Sequence, residues 1–226
     1  MEGYVSSFVG GGSGSADKGR RVRCSRSRGN WVAKTTVYSS GRGPSFAETV
    51  GEDTPVYDVN GNKLALTDVV SEGGKTTVIS WLRHYGCSLC RKQVADLSRL
   101  SDSGLDELKN VDLIAIGSGT AEQGAEFLKE VKFPGEVYSD PQRKTYKALN
   151  FTKGVLSTFN PAGLGKLMES FSSGNKQRFE VIPTDPFQQG GCLVVSPSNE
   201  VVLLHRDDFA GDHVEESKLL QALKSV

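Results

Sequence analysis

The stretch TTVISWLRHYGCSLCRKQVADLSRL, residues 76–100, decides the fold of this chain. Its first seven residues (76–82) form a continuous apolar and β-branched run, which predicts a strand covered on both faces. Apolar residues then recur at helical spacing, at Leu89, Val94, Leu97 and Leu100. A helix is therefore predicted directly after the strand. Cys87 and Cys90 lie at this junction, and in open α/β sheets the crevice for chemistry lies beyond the carboxyl ends of the strands.

The rest of the chain from Phe46 onward alternates between strand-like and helix-like runs. Strands are predicted in a hairpin at 55–66 around the turn dipeptide Asn60-Gly61, at 111–119, at 135–140, and in a second hairpin at 192–196 and 200–206. Helices are predicted at 120–131 with Thr120 as N-cap, from Pro141 as first residue, at 161–171 and at 213–225. Residues 172–191 are irregular and are interpreted as an insertion. This order predicts an α/β fold whose central sheet has mixed direction and is flanked by helices.

Residues 1–45 differ in composition from the rest of the chain. They hold eight Lys or Arg, only two acids, nine Ser and nine Gly. With few apolar residues and no strand or helix period, this segment is predicted to be disordered and to lie outside the folded domain, residues 46–226. The composition is typical of an organelle transit peptide, and the Gly and Ser content favours a chloroplast over a mitochondrion. Residues 20–25, RRVRCS, resemble a stromal processing site, so cleavage is expected between Cys24 and Gly43.

Several functional classes are disfavoured by the sequence. The formal net charge of the chain is zero, which argues against a nucleic-acid-binding protein. No run approaches eighteen apolar residues, so no membrane span is predicted. Four cysteines in 226 residues are too few for a secreted disulfide scaffold. No glycine-rich nucleotide motif follows a strand, so no flavin or nicotinamide cofactor is expected.

The pair Cys87 and Cys90 carries the chemistry that the sequence offers. Their spacing places them on one face of a helix, one turn apart, and Cys87 falls at the predicted helix N-terminus. Unpaired backbone N–H groups and the helix dipole favour a thiolate there. Arg83 and Arg91 add positive charge on either side, which should lower the pKa of Cys87 further. A thiolate can attack a disulfide or a peroxide, and a second thiol nearby can resolve the product.

Two other interpretations of the cysteine pair remain open. A zinc site needs four ligands, and His84, Cys192, His205 and His213 do not have metal-ligand spacing relative to the pair, so no metal is expected. The two cysteines can also be inert residues of the core, since free cysteines are often buried.

The chain resembles the peroxiredoxin-like proteins of the AhpC/TSA antioxidant superfamily. The matching stretches are RHYGCSLCRKQVADL (83–97), YSDPQRKTYKALNF (138–151) and QQGGCLVVSPSNEVVLLHRDDFAGDH (188–213), with the final helix. The resemblance implies a thioredoxin-like fold, a redox-active Cys87–Cys90 pair and a role in thiol or peroxide chemistry. Together with the amino-terminal segment, it implies a plastid protein.

The sequence also departs from the active-site pattern of typical peroxiredoxins. The Pro-x-x-x-Thr-x-x-Cys pattern of peroxiredoxins is missing: Arg83 and Cys87 stand at its Pro and Thr positions if Cys90 is the peroxidatic cysteine, and Ser80 and His84 stand there if it is Cys87. The leading hypothesis is therefore a thiol–disulfide oxidoreductase that exchanges electrons with thioredoxins or glutathione. A peroxidase that reduces hydrogen or lipid peroxides is the alternative, and a non-catalytic thioredoxin-fold binding protein is the third.

Supporting roles are expected for four further residues. His84 is a candidate for tuning Cys87, because an imidazole next to a thiol changes its ionisation. Arg83 and Arg91 are candidates for stabilising a thiolate or a peroxide oxygen. Cys192 follows the position that faces the dithiol in thioredoxins, so it is either a third thiol near the site or an ordinary buried strand residue.

Overall fold

An eight-stranded mixed sheet forms the centre of the protein. The computed structural model describes residues 24–27, 30–38, 43–71, 74–158, 161–172, 174, 178 and 186–226. The strands are β1 (Cys24–Ser27), β2 (Asn30–Ala33), β3 (Thr35–Val37), β4 (Pro55–Tyr57), β5 (Lys63–Ala65), β6 (Thr76–Leu82), β7 (Val111–Gly117), β8 (Glu136–Ser139), β9 (Gly191–Val195) and β10 (Val201–Arg206). The order in the large sheet is β3-β10-β9-β6-β7-β8-β4-β5, and β1 with β2 forms a separate antiparallel pair.

Helices cover both faces of this sheet. They are α1 (Phe46–Val50), α2 (Leu66–Ser71), α3 (Ser88–Ser101), α4 (Ala121–Glu130), α5 (Lys144–Ala148), α6 (Val155–Thr158), α7 (Pro161–Ser172) and α8 (Glu216–Leu223), with a short 3₁₀ helix at Asp106–Leu108. Two hydrophobic clusters result, one on each face of the sheet. The predicted α/β, thioredoxin-like architecture with a mixed central sheet is thus confirmed.

Strand β6 is the centre of the sheet, as the apolar run predicts. All seven of its residues are buried. It pairs in parallel with β7 on one side and antiparallel with β9 on the other. Its side chains alternate between the two clusters, with Val78 and Leu82 on one face and Ile79 and Trp81 on the other. A strand held on both edges and both faces gives the residue that follows it a fixed position.

The helix predicted to open at Pro141 begins three residues later, so that prediction is wrong. The carboxylate of Asp140 accepts hydrogen bonds from the backbone N–H groups of Lys144 and Thr145, at 3.0 and 2.8 Å. This places the helix start at Lys144, and the preceding residue, Arg143, has a left-handed backbone with φ of 55°. The side-chain cap therefore overrides the preference of proline for the first helical position.

The sheet begins earlier in the chain than the predicted boundary at residue 45. Strand β3 lies on the sheet edge and pairs antiparallel with β10. Buried polar contacts hold it there: the Thr35 hydroxyl lies 2.7 Å from Nδ1 of His205, and Nζ of Lys34 lies 2.6 Å from the Asp212 carboxylate. Residues 35–37 of the Ser- and Arg-rich segment thus belong to the folded domain, because their pairing partner, strand β10, lies near the other end of the chain. Residues 1–23 and the neighbouring gaps lie outside the described residues, as does most of the predicted insertion at 172–191.

Within the described residues, no helix has the length and apolar character needed to cross a membrane.

Candidate active site

The two cysteines lie where β6 ends and α3 begins. Cys87 is the N-cap of α3, and its Sγ accepts a hydrogen bond from the backbone N–H of Cys90 at 3.4 Å. Cys90 is in the first turn of the helix, and its Sγ accepts the backbone N–H of Arg83 at 3.3 Å. Both are free thiols, and their residues are only 2 and 1 % exposed. The predicted position of the pair on one helix turn is what the structure shows.

The two thiols differ strongly in acidity. The pKa of Cys87 is held well below its usual value by the hydrogen bond from the Cys90 thiol, and further by the positive charge of Arg83, although burial opposes this. The pKa of Cys90 is raised well above its usual value by burial and by donating to Cys87. The arrangement therefore favours a thiolate on Cys87 and a protonated thiol on Cys90, which is the asymmetry that a nucleophile and a resolving thiol need.

Arg83 is the cation that faces the thiolate. Nη1 of its guanidinium lies 3.6 Å from Sγ of Cys87. The other guanidinium nitrogens donate to the carbonyls of Pro186 at 2.9 Å and Gln188 at 3.3 Å. A contact of 3.5 Å joins Nη2 to the hydroxyl of Thr158 in α6. Since Arg83 is 8 % exposed, the charge is buried and its direction is fixed by these neighbours.

His84 is buried next to this pair. Its Nδ1 is a buried atom without a hydrogen-bond partner, and the residue is 4 % exposed. Burial lowers the pKa of His84, as do the charges of Arg83 and Arg143, while the Cys87 thiolate raises it. The net lowering favours a neutral imidazole at neutral pH, so Arg83 is the group that carries the positive charge beside the thiolate.

The guanidinium of Arg91 pairs with a residue outside the dithiol, and Cys192 is a buried strand residue, one of the two interpretations that the sequence leaves open for it. The guanidinium of Arg91 forms an ion pair with Glu130 at 2.6 Å and lies over the ring of Phe127 at 5.3 Å. Cys192 is in β9 opposite Ser80 of β6, under the helices α3 and α8, and burial raises its pKa to about 12. The backbone N–H of Arg91 donates to the carbonyl of Cys87 at 3.0 Å, whereas its guanidinium is held by Glu130. Cys192 belongs to the same hydrophobic cluster as Cys87 and Cys90.

Several residues that shape the site have no signal in the sequence. The Tyr146 hydroxyl donates to the carbonyl of Leu82 at 2.6 Å, and the Ser118 hydroxyl donates to the carbonyl of Arg83 at 2.7 Å. These two bonds fix the backbone at the end of β6. Both donors come from other elements, 64 and 35 residues away in sequence. Only the topology of the sheet brings them to the dithiol, so spacing could not identify them.

The segment after α6 forms hydrogen bonds to the backbone on either side of Cys87. The Ser170 hydroxyl of α7 donates to the carbonyl of Ser88 at 2.9 Å. The backbone N–H of Arg178 donates to the carbonyl of Gly86 at 2.9 Å, directly before Cys87. Together with the contacts of Arg83 to 186–188, these bonds place part of the predicted insertion against the first turn of α3.

The described residues contain no group of three or more His, Cys, Asp and Glu side chains that could hold a metal ion.

Comparison with known proteins agrees with this fold. The AhpC/TSA antioxidant enzyme family matches residues 96–208, which begin six residues after Cys90. Thioredoxin-like protein AAED1, chloroplastic, from Arabidopsis thaliana is 34% identical over 199 residues, covering 84% of this chain and 79% of that protein. Human peroxiredoxin-like 2C is 31% identical, covering 79% of this chain and 80% of that protein. Among solved structures, peroxidoxin BcpB from Mycobacterium tuberculosis shares the fold, with a TM-score of 0.55 and 16% identity over 81% of this chain and 96% of that one.

The positions of Arg83 and Arg91 predict that only Arg83 lowers the pKa of Cys87, although both arginines lie near the start of α3. We expect Arg83→Met to raise the pKa of Cys87, because the variant removes the cation that faces the thiolate. We expect Arg91→Met to leave that pKa unchanged, because its guanidinium pairs with Glu130 instead. The measurement is thiolate absorbance near 240 nm against pH, in a Cys192→Ser background. Equal shifts in the two variants would contradict the assignment of Arg83 as the activating cation.

Proposed function

The chain belongs to the AhpC/TSA antioxidant enzyme family, and from that premise we propose that it is a thiol–disulfide oxidoreductase in which Cys87 attacks and Cys90 resolves. One observation carries the assignment of roles. Sγ of Cys87 accepts the Cys90 N–H at the start of α3 and lies 3.6 Å from the Arg83 guanidinium, whereas Cys90 is buried with a raised pKa.

The reaction proceeds in two displacement steps. The Cys87 thiolate attacks one sulfur of a disulfide, so a new S–S bond forms to Cys87 while the old S–S bond breaks and its second half leaves as a thiol after taking up a proton. Cys90 then loses its proton and attacks Sγ of Cys87, which releases the first half as a second thiol. In sum the dithiol loses two electrons and two protons, and the substrate disulfide gains them. In this direction the pair acts as a reductant. In the reverse direction, the disulfide form of the pair acts as an oxidant of thiols on its partner.

The partners of this exchange are disulfides and thiols of other molecules. Thioredoxins and glutathione are the partners that this chemistry favours, since both carry a thiol or disulfide that a thiolate can attack. Because Cys87 is only 2 % exposed, neighbouring residues must move aside before a partner disulfide can reach its sulfur.

The division of roles predicts unequal trapping of mixed disulfides. We expect the Cys90→Ser variant to accumulate a stable adduct with an added disulfide, because nothing displaces the partner from Cys87. We expect at least about tenfold less adduct with Cys87→Ser, because Cys90 is buried and protonated at neutral pH. The measurement is intact mass after exposure to glutathione disulfide or to an oxidised thioredoxin.

Cys192→Ser is the matched control, because Cys192 is equally buried and lies on strand β9, outside the turn of α3 that holds the pair. It is expected to behave as the unmodified chain and to form an internal disulfide without retaining a partner. Equal adducts on Cys87→Ser and Cys90→Ser would contradict the roles. Absence of any exchange in the unmodified chain would favour the non-catalytic binding protein instead.

Peroxide reduction is the second candidate, and the burial of the site favours it. A small peroxide can reach a sulfur that is 2 % exposed more easily than a protein disulfide can. The Arg83 guanidinium beside Sγ of Cys87 offers N–H donors for a peroxide oxygen. In this reaction the thiolate takes one oxygen from the peroxide and becomes a sulfenic acid, an alcohol or water leaves, and Cys90 condenses with the sulfenic acid to a disulfide and water.

Trapping with dimedone tests this candidate. If the chain is a peroxidase, hydrogen peroxide and dimedone should label Cys90→Ser on Cys87, because the sulfenic acid has no resolving thiol. Cys87→Ser should remain unlabelled, and Cys192→Ser should form the internal disulfide before dimedone reacts. Lack of label on Cys90→Ser, together with disulfide exchange in the trapping experiment, would reject peroxide reduction and retain the oxidoreductase.

We also propose that residues amino-terminal to Lys34 act as a chloroplast transit peptide. The basic, Ser-rich composition supports this, and the relative from Arabidopsis thaliana is named chloroplastic. Strand β3 (Thr35–Val37) narrows the expected cut, because cleavage within or beyond this strand would remove an edge strand of the sheet. We expect the protein recovered from chloroplasts to begin between Cys24 and Lys34, as read by mass spectrometry of its first peptide. An uncut amino terminus, or a cut beyond Val37, would contradict this proposal.

A further inference from the structure

A cleft with a basic lining lies beside the dithiol. It has a volume of about 300 Å³. Its lining residues are Pro141, Gln142, Arg143, Tyr146, Lys147, Asn150, Phe151, Lys153 and Gln188. Three of these are cations and none is an Asp or Glu. The lining is therefore suited to an anion, and amide groups supply further donors to oxygen.

The carboxylate nearest in sequence to the lining residues, that of Asp140, is engaged in hydrogen bonds to the start of helix α5. Asp140 is 1 % exposed and is not part of the lining. Its oxygens accept from the backbone N–H groups of Lys144 and Thr145 and from the Thr145 hydroxyl at 2.7 Å. It therefore faces the start of α5 and leaves the lining of the cleft with cations only.

The cleft is connected to the reactive sulfur by two short chains of contacts. The carbonyl of Gln188, a lining residue, accepts Nε of Arg83 at 3.3 Å, and Nη1 of the same guanidinium lies 3.6 Å from Sγ of Cys87. The hydroxyl of Tyr146, another lining residue, donates to the carbonyl of Leu82 at the end of β6. The charge of Arg143, a third lining residue, acts on His84 next to Arg83. The cleft is thus connected to the surroundings of the reactive sulfur through Gln188, Tyr146 and Arg143.

The size of the cleft distinguishes between possible ligands. About 300 Å³ is at the lower limit for small-molecule sites, and a protein partner would be expected to use a broad and flatter surface. Two lining cations, Lys147 and Lys153, are exposed, and Arg143 is half-buried. The exposed lysines can therefore meet an anion arriving from solvent, and Arg143 lies deeper in the cleft.

We propose that this cleft binds the carboxylates of a small anionic disulfide, with glutathione disulfide as the fitting example, and so selects it as the substrate of the dithiol. The inference rests on the disulfide exchange proposed above. In the reaction the Cys87 thiolate forms an S–S bond to one glutathione half, the S–S bond of glutathione disulfide breaks, and the other half leaves and takes up a proton. Cys90 then loses a proton and displaces the first half, so that one disulfide becomes two glutathione thiols while the protein dithiol becomes a disulfide.

The test compares three small disulfides that differ in charge. The reduced full-length protein is mixed with glutathione disulfide (anionic), hydroxyethyl disulfide (neutral) or cystamine (cationic), and the loss of thiols is followed by rapid quench and mass analysis. The test variant is Lys147→Glu with Lys153→Glu. The control variant is Lys63→Glu with Lys129→Glu, which makes the same change in net charge at two exposed lysines away from the cleft.

The charge-reversed cleft is expected to react about tenfold more slowly with glutathione disulfide at low ionic strength. Its rate with hydroxyethyl disulfide should stay within about twofold and its rate with cystamine should rise, because only the charge of the cleft has changed. The control variant should resemble the unmodified chain with all three. In the unmodified chain, added salt should slow the reaction with glutathione disulfide and leave the rate with the neutral disulfide unchanged. This comparison tests the proposal even if the variant does not fold.

Two failures can be told apart. If the unmodified chain reacts with the neutral disulfide but shows no charge preference, no salt effect and no response to the cleft variant, the proposed cleft is wrong and the disulfide exchange stands. If no disulfide oxidises Cys87 and Cys90 at all, the proposed function fails, and the cleft proposal fails with it. Equal slowing by the test and control variants would also overturn the cleft, since it would show an effect of net charge alone.

Discussion

The interaction on which the site depends is the one between a buried guanidinium and a buried sulfur. Arg83 is 8 % exposed, and burying a cation without a counter-charge is costly. In the described part of the chain, the oxygens within reach of its guanidinium are two backbone carbonyls and one hydroxyl, which are neutral. The Sγ of Cys87 is the one neighbour there that can become an anion. The ionised thiol is therefore both the nucleophile and the counter-charge that makes the buried arginine tolerable.

The sheet gives this charge pair its rigidity. Strand β6 is paired on both edges, and its end is fixed by hydroxyls of Ser118 and Tyr146. The next residue along the chain is Arg83, so the backbone that supports the guanidinium cannot shift without breaking the centre of the fold. Helix α3 then begins within one turn, and Cys87 takes the N-cap position that Ser, Thr or Asp commonly fill. A thiolate there receives the N–H of Cys90 as a capping carboxylate would, so the cap of the helix and the reactive group are the same atom.

The sequence was most informative about features that depend on the residues of a single strand or helix. The run at 76–82 predicted the central strand, and the spacing of Cys87 and Cys90 predicted their common helix turn, because both depend on local periodicity. It could not separate Arg83 from Arg91, which each lie four residues from Cys87 in sequence, because Glu130 is brought to Arg91 by the packing of α4. It also placed the domain boundary after β3, since that strand is held by His205 and Asp212 and carries no strand pattern of its own. Interactions across the sheet have no signature in a local window of residues.

The same charge pair connects acidity with redox behaviour. Any contact that stabilises the Cys87 thiolate lowers the free energy of the reduced protein, because the disulfide form has no negative sulfur for Arg83 or for the start of α3 to stabilise. Seen from the other partner, the same loss leaves the guanidinium buried without its counter-charge. This makes the Cys87–Cys90 pair a better oxidant than an exposed dithiol of the same spacing. Replacing Arg83 by methionine would therefore raise the pKa and reduce the oxidising power together, because one interaction energy determines both.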